Sequence, residues 1–149
     1  MGYSIAEVSE QFKISPHTIR FYEKAGLLPF VGRNEAGNRE FIEADLSLLQ
    51  TILCLKNTGM KLKEISQYIE WVMEGADSVA FRRQMMKEHR EAIKRQIKVF
   101  KEYLAQIDAK LKIYESPDAG KIVKRQLQRA AEERQRHGLS PVSKGSMVR

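Results

Sequence analysis

Hydrophobic positions along the chain change spacing twice, and each change marks a different kind of element. Ile5, Val8 and Phe12 recur at helical intervals. Ser4 stands before them with Glu7 three residues on, the spacing of a capping box, so residues 5–12 are predicted as a short helix. A second start follows at once. Ser15 is a good N-cap, and Pro16 suits the first helical position because its missing N–H would have no partner there. Ile19, Tyr22 and Phe21 form the apolar stripe of residues 16–25, and Gly26 ends it. Two short helices joined by about three residues make a helix-turn-helix.

Residues 27–41 lack that period. Pro29, Gly32 and the cluster Asn34-Glu35-Ala36-Gly37-Asn38 punctuate them, with Leu27-Leu28-Pro29-Phe30 on one side and Arg39-Glu40-Phe41 on the other. This predicts a small hairpin, a wing. Residues 43–58 return to helix through Leu46, Leu49, Ile52, Leu53 and Leu55, up to Gly59. Residues 62–74 form another through Leu62, Ile65, Ile69 and Val72, up to Gly75.

From about residue 79 to 115 there is no Gly or Pro. Ile93, Ile97, Phe100, Leu104, Ile107, Leu111 and Tyr114 alternate four and three residues apart, the seam of a coiled coil. Such a helix is on the order of 55 Å long at ~1.5 Å per residue. No other segment of the chain matches its length, so a partner chain is expected to cover the seam. The competing possibility is a core helix of one compact bundle. Ser116-Pro117-Asp118-Ala119-Gly120 then breaks the pattern. Residues 121–137 are predicted as a basic helix anchored by Ile122, Val123 and Leu127, and 138–149 as a disordered end. The predicted organisation is a winged helix-turn-helix domain at 1–75, a dimerisation helix at 76–117, and a basic tail at 118–149.

Charge sharpens this less than expected. The 149 residues carry a net +7, yet residues 1–63 and 64–117 each account for only +1, and 118–149 for +5. A basic balance suggests a polyanionic partner, but the motif geometry has to identify it. No apolar run approaches the ~18 residues of a membrane span, and the N-terminus lacks the pattern of a signal peptide, so a cytoplasmic protein is expected. The single Cys54 excludes an internal disulfide framework and a cysteine-built metal site within one chain. His17, His89 and His137 fall on separate segments with no nucleophile–base or phosphate-loop pattern, which argues against an enzyme. No cofactor is expected.

The segment from Ser15 to Leu28, Ser-Pro-His-Thr-Ile-Arg-Phe-Tyr-Glu-Lys-Ala-Gly-Leu-Leu, resembles the recognition helix of the MerR family of bacterial transcription regulators. The order of motifs matches as well. Ile5-Ala6-Glu7-Val8 precedes it; Arg33, Asn38-Arg39-Glu40-Phe41 and Thr58-Gly59-Met60-Lys61-Leu62-Lys63-Glu64-Ile65 follow. The resemblance covers about the first 70 residues. It implies a mainly α architecture: a winged helix-turn-helix followed by a long antiparallel coiled-coil dimerisation helix. It also implies a homodimer that binds a palindromic promoter in double-stranded DNA and distorts an over-long spacer, realigning promoter elements for RNA polymerase. Two departures stand out. Glu40 occupies a place where the family commonly has tyrosine, and Lys61 occupies a helix cap where it cannot accept from the orphan amides.

In this frame His17, Thr18 and Arg20 lie where a helix reaches base edges, and Arg20 suits a guanine. Tyr22 would donate to a phosphate or belong partly to the core, and Thr18 would read a base or help the cap. Arg33 and Arg39 bracket the wing turn as phosphate contacts, with Asn38 there for contact or for backbone conformation. Lys56, Lys61 and Lys63 are further phosphate candidates. Cys54 falls away from the centre of its helix's apolar stripe, beside Ser47, Thr51 and Thr58. That arrangement resembles the NmlR or AdhR-like, aldehyde- and thiol-stress-responsive branch, so Cys54 is either a sensor or a half-buried structural thiol. Trp71, Met73, Met85 and Met86 are expected to pack as core rather than line a ligand site. Two alternatives remain: a repressor of the same architecture without a ligand, and a coiled-coil adaptor that binds protein.

Overall fold

The computed structural model describes residues 2–141. Helices α1 (Ile5–Phe12) and α2 (Pro16–Lys24) are followed by strands β1 (Gly32–Arg33) and β2 (Arg39–Glu40). Then come α3 (Glu43–Asn57), α4 (Leu62–Glu74), a short 3-10 turn (Gly75–Ser78), α5 (Val79–Tyr114) and α6 (Ala119–Arg136). The described chain is mainly helical. It divides inside α5, after Lys94, into two units.

The first unit holds the core, and the caps explain its element boundaries. Ser4 and Glu7 form the reciprocal capping box at α1: the Glu7 N–H donates to Ser4 Oγ, and the Ser4 N–H to Glu7 Oε2. The turn between α1 and α2 passes through Lys13 at φ 55°, a left-handed conformation held by Ser9 Oγ donating to the Ile14 carbonyl at 2.6 Å. Ser15 then accepts from the Thr18 N–H and starts α2. With the helices fixed this way, Val8 of α1 and Ile19 and Tyr22 of α2 are buried against Leu27, Leu28 and Phe41. From α3 and α4, Leu49, Ile52, Leu55, Ile65 and Ile69 complete the core.

The wing is shorter than the sequence suggests. Its strands pair Gly32 with Glu40 and Arg33 with Arg39. Leu27 and Leu28, expected to flank the hairpin, are buried in the core instead. The reason is their place after the α2 terminus: the Leu27 N–H donates back to the Tyr22 carbonyl, which turns both side chains inward. The base of the wing is tied to the chain's start. Tyr3 and Phe41 exchange both backbone hydrogen bonds, at 2.7 and 2.9 Å, and Gly2 N–H donates to Glu40 Oε1 at 2.7 Å. On its other side Ile42 N–H donates to Asp45 Oδ2 at 2.8 Å. Asp45 is buried, and its Oδ1 has no hydrogen-bond partner among the described residues. Burial pushes the carboxyl above its ordinary value; the Ile42 hydrogen bond opposes this, and the Glu23 charge adds to it.

Helix α4 begins without a side-chain acceptor at Lys61, as expected, but Glu64 three residues on accepts the Lys61 N–H at 3.2 Å and supplies half of a capping box. The α4–α5 corner closes on Ser78, which is fully buried. Ser78 Oγ lies within reach of the Trp71 and Gly75 carbonyls, and Arg82 donates to both Ser78 Oγ and the Gly75 carbonyl.

Helix α5 has no buried residue. Ile93 of the seam is half-buried, while Ile97, Phe100, Leu104, Ile107, Leu111 and Tyr114 are exposed, Phe100 at 68%. The second unit holds the distal part of α5 and all of α6, and among its described residues none is buried. Helix α6 starts two residues before the expected 121, because the Ala119 N–H donates to the Ser116 carbonyl and the Ile122 N–H to the Asp118 carbonyl. Residues 138–141 are irregular; the rest of the expected disordered end, 142–149, lies outside the described residues.

Candidate nucleic-acid interface

Helix α2 buries Ile19 and Tyr22, and this rotation decides what it presents. His17 and Arg20 are exposed, and Thr18 is half-buried. The Thr18 hydroxyl lies 2.9 Å from Ser15 Oγ, so it takes part in the helix cap. Tyr22 is 1% exposed. Its ring is core, and its hydroxyl accepts from Lys56 Nζ at 3.0 Å. The same ammonium lies 5.4 Å from the ring centroid, so α3 and the end of α2 meet through this pair.

The wing carries the other cations. Arg33 is exposed and donates through Nη1 to the Gly37 carbonyl at 2.8 Å, bracing the turn. Asn38 holds the turn by its backbone: its N–H donates to Asn34 Oδ1 at 3.0 Å and its carbonyl accepts from the Asn34 N–H. Arg39 donates through Nε to Glu23 Oε2 on α2, a half-buried ion pair. Arg20, Arg33, Asn38 and Arg39 share the lining of one open groove of about 520 Å³ between α2, the wing and the start of α1. Lys61 and Lys63 stand exposed at the start of α4 and do not line that groove.

Cys54 is exposed on α3, where its carbonyl accepts from Thr58 Oγ1 at 2.6 Å. Thr58 Oγ1 also meets His89 Nε2 of α5 at 2.7 Å. Trp71 stacks on Phe81, and both line a shallow recess of about 360 Å³ with Met60, Met85 and His89. Met86 lies on a different recess with Tyr68 and Val79, and Met73 is exposed. Among the described residues no three His, Cys, Asp or Glu gather as a metal site would require, and no helix is long and apolar enough to cross a membrane.

Residues 3–70 match the MerR HTH family of regulatory proteins, and residues 46–112 match the MerR DNA-binding family. A Haemophilus influenzae protein described as an uncharacterized HTH-type transcriptional regulator is 42% identical over 119 residues, covering 80% of this chain and 88% of that protein. The chain belongs to the MerR family of HTH regulators. This MerR chain is also 31% identical over 90 residues to the Bacillus subtilis HTH-type transcriptional regulator AdhR, covering 60% of this chain and 64% of AdhR. Its fold is similar to the crystal structure of HiNmlR, a MerR family regulator lacking the sensor domain, bound to promoter DNA. The TM-score is 0.73 at 42% identity, covering 80% of this chain and 94% of that one.

Glu23 and Asp45 are residues of this MerR head that sequence reasoning did not single out, and for Glu40 it marked only the departure from the family pattern and not the contact. Glu40, placed where the family commonly has tyrosine, accepts from Gly2 instead. Glu23 did leave a signal. It is a carboxylate in the last turn of α2, where the helix dipole disfavours negative charge. A local rule broken in this way points to a tertiary partner, and the partner is Arg39.

Proposed function

We propose that this MerR regulator binds a palindromic promoter site in double-stranded DNA as a homodimer and controls transcription by deforming the duplex. The observation that carries the reading is the shared groove. Arg20 of α2 and Arg33, Asn38 and Arg39 of the wing converge there, so one surface offers a helix for the major groove and a wing for the adjoining phosphates. His17, Thr18 and Arg20 read base edges. Arg33, Arg39, Lys56, Lys61 and Lys63 hold the backbone, and Tyr22 acts from the core by orienting Lys56. The seam from Ile93 to Tyr114 pairs with a second copy and sets the half-site spacing. The domain roles follow as a DNA-binding head at 1–75, a dimerisation helix at 76–117 and a basic tail at 118–149. RNA polymerase meets the protein through the reshaped promoter, and the protein makes and breaks no covalent bond in the DNA.

DNase footprinting across the upstream region of its own gene is expected to show a two-fold protected site with a hypersensitive centre. Affinity is expected to fall steeply with salt, with a log–log slope near −0.9 per phosphate neutralised. Equal retention of every duplex, or none, would overturn the assignment.

The exposed thiol of Cys54 supports a second part of the proposal: attack of its thiolate on an electrophile such as an aldehyde signals to the promoter. Cys54→Ser is then expected to bind the promoter as the parent does while losing the transcriptional response to formaldehyde. A retained response would leave a regulator that does not sense through this residue.

A further inference from the structure

We propose that Glu23 is a positioning residue for DNA binding, acting through Arg39 to lock the wing onto the helix that reads the bases. The inference rests on the DNA-binding reading above and adds a role for a carboxylate that the electrostatics of that reading would otherwise exclude.

A glutamate on a DNA-facing helix repels the phosphates it approaches. Glu23 also stands in the last turn of α2, where the helix dipole works against it. Both penalties are avoided by glutamine, yet the carboxylate is present. The structure gives it an occupation. Glu23 Oε2 accepts from Arg39 Nε, and both side chains are about a quarter exposed, so the pair is shielded from the solvent that weakens ion pairs at an open surface. Among the described residues nothing else holds the Arg39 guanidinium, so its Nη1 and Nη2 groups stay available to an acceptor on the groove side. An arginine gripped at Nε by a carboxylate presents its other edge in one orientation, which is how a bidentate phosphate contact is prepared in advance.

The wing needs such a brace. Its strands are two residues each and pair only with one another. Tyr3, Gly2 and Asp45 fasten only its base, at Phe41, Glu40 and Ile42. Arg39 is the cross-strand partner of Arg33, so holding Arg39 against α2 also places Arg33. The Glu23–Arg39 pair therefore sets the separation between the base-reading helix and both wing cations.

The test is a double-mutant cycle on the full chain, read by fluorescence anisotropy with the footprinted promoter duplex and with a scrambled duplex of equal length. Glu23→Gln is expected to weaken promoter binding about three- to tenfold, within the range of couplings between residues in contact, and, because Arg39 meets phosphate, to weaken binding to the scrambled duplex by a similar factor. Arg39→Met is expected to weaken promoter binding more and to reduce the salt slope by about one phosphate. Adding Glu23→Gln to Arg39→Met is then expected to cost nothing further, because the glutamate has lost the group it acts through. Circular dichroism melting of each variant separates these effects from unfolding. Tighter promoter binding by Glu23→Gln, or full additivity in the double variant, overturns the positioning role while leaving DNA binding intact. Failure of the unmodified protein to distinguish the two duplexes overturns the DNA reading and this inference together.

Discussion

The head of the molecule and the distal part of α5 use the same residue types to opposite ends. In the head, Ile19, Ile52 and Ile65 have no exposed surface at all. On distal α5, Ile107 is 57% exposed and Phe100 68%. The head satisfies its apolar positions within one chain because short helices turn back on themselves at capped corners. The distal helix has no such corners before Ser116, and α6 beyond it buries none of its own residues. A seam of seven apolar residues at heptad spacing is a large area left in water. The difference teaches that burial inside the chain specifies the head, while the seam leaves its apolar positions uncovered by any described part of the chain.

The sharpest way to break the comparison is to place charge in the seam. Phe100→Asp with Leu104→Asp is expected to weaken dimerisation by at least about 100-fold, since each buried apolar side chain contributes roughly 1.5–3 kcal/mol. Sedimentation equilibrium checks this, and near-UV circular dichroism of Trp71 should stay unchanged if the head folds independently of the seam. A variant that remains dimeric would remove the coiled-coil pairing. The converse substitution acts on the head. Ile52→Ala is expected to lower stability by about 2–5 kcal/mol through a cavity in a core that cannot collapse, seen as a lower midpoint in urea with an unchanged dimer constant per folded chain.

Smaller effects sharpen the boundary between core and interface. Ser15→Ala removes the cap of α2 and is expected to cost about 1 kcal/mol. Because the same hydroxyl meets Thr18 at the start of α2, the end proposed to read base edges, promoter affinity should fall alongside the thermal midpoint. The smallest expected effect is at Asp45. Burial raises its folded-state carboxyl above the unfolded value, so the folded chain binds the proton more tightly. Its contribution is then fully present at pH values below the unfolded pKa and is lost as pH rises through the folded pKa. Asp45→Asn keeps an acceptor for the Ile42 N–H without a charge. Relative to the parent, the variant should gain thermal stability as pH rises from the carboxylate range toward neutrality. A difference independent of pH would show that folding leaves this carboxyl unshifted, and a falling advantage of the variant would show that the fold stabilises the carboxylate.

Much of the head was legible because its signals are local. Ser4 with Glu7, Ser15 with Pro16, and Gly59 each act within one helical turn, so residue order alone places the helix ends. The wing was read less well. Leu27 and Leu28 look like strand residues, and only the hydrogen bond from Leu27 back to Tyr22 turns them into the core. At the candidate site, the cations of α2 and the wing were visible as residue types at the expected places. That Tyr22, left open between core and phosphate contact, takes Lys56 as its partner, and that Arg39 is held by Glu23 sixteen positions away, was not.

What the sequence determined alone is therefore the set of helices, the heptad seam and the family, because periodicity and capping depend on neighbours a few bonds apart. What the tertiary structure decided is which cations are free and which are engaged. That choice depends on distances between side chains remote in sequence, and those distances exist only after the core around Ile19 and Ile52 has closed and fixed the angle of α2 to the wing.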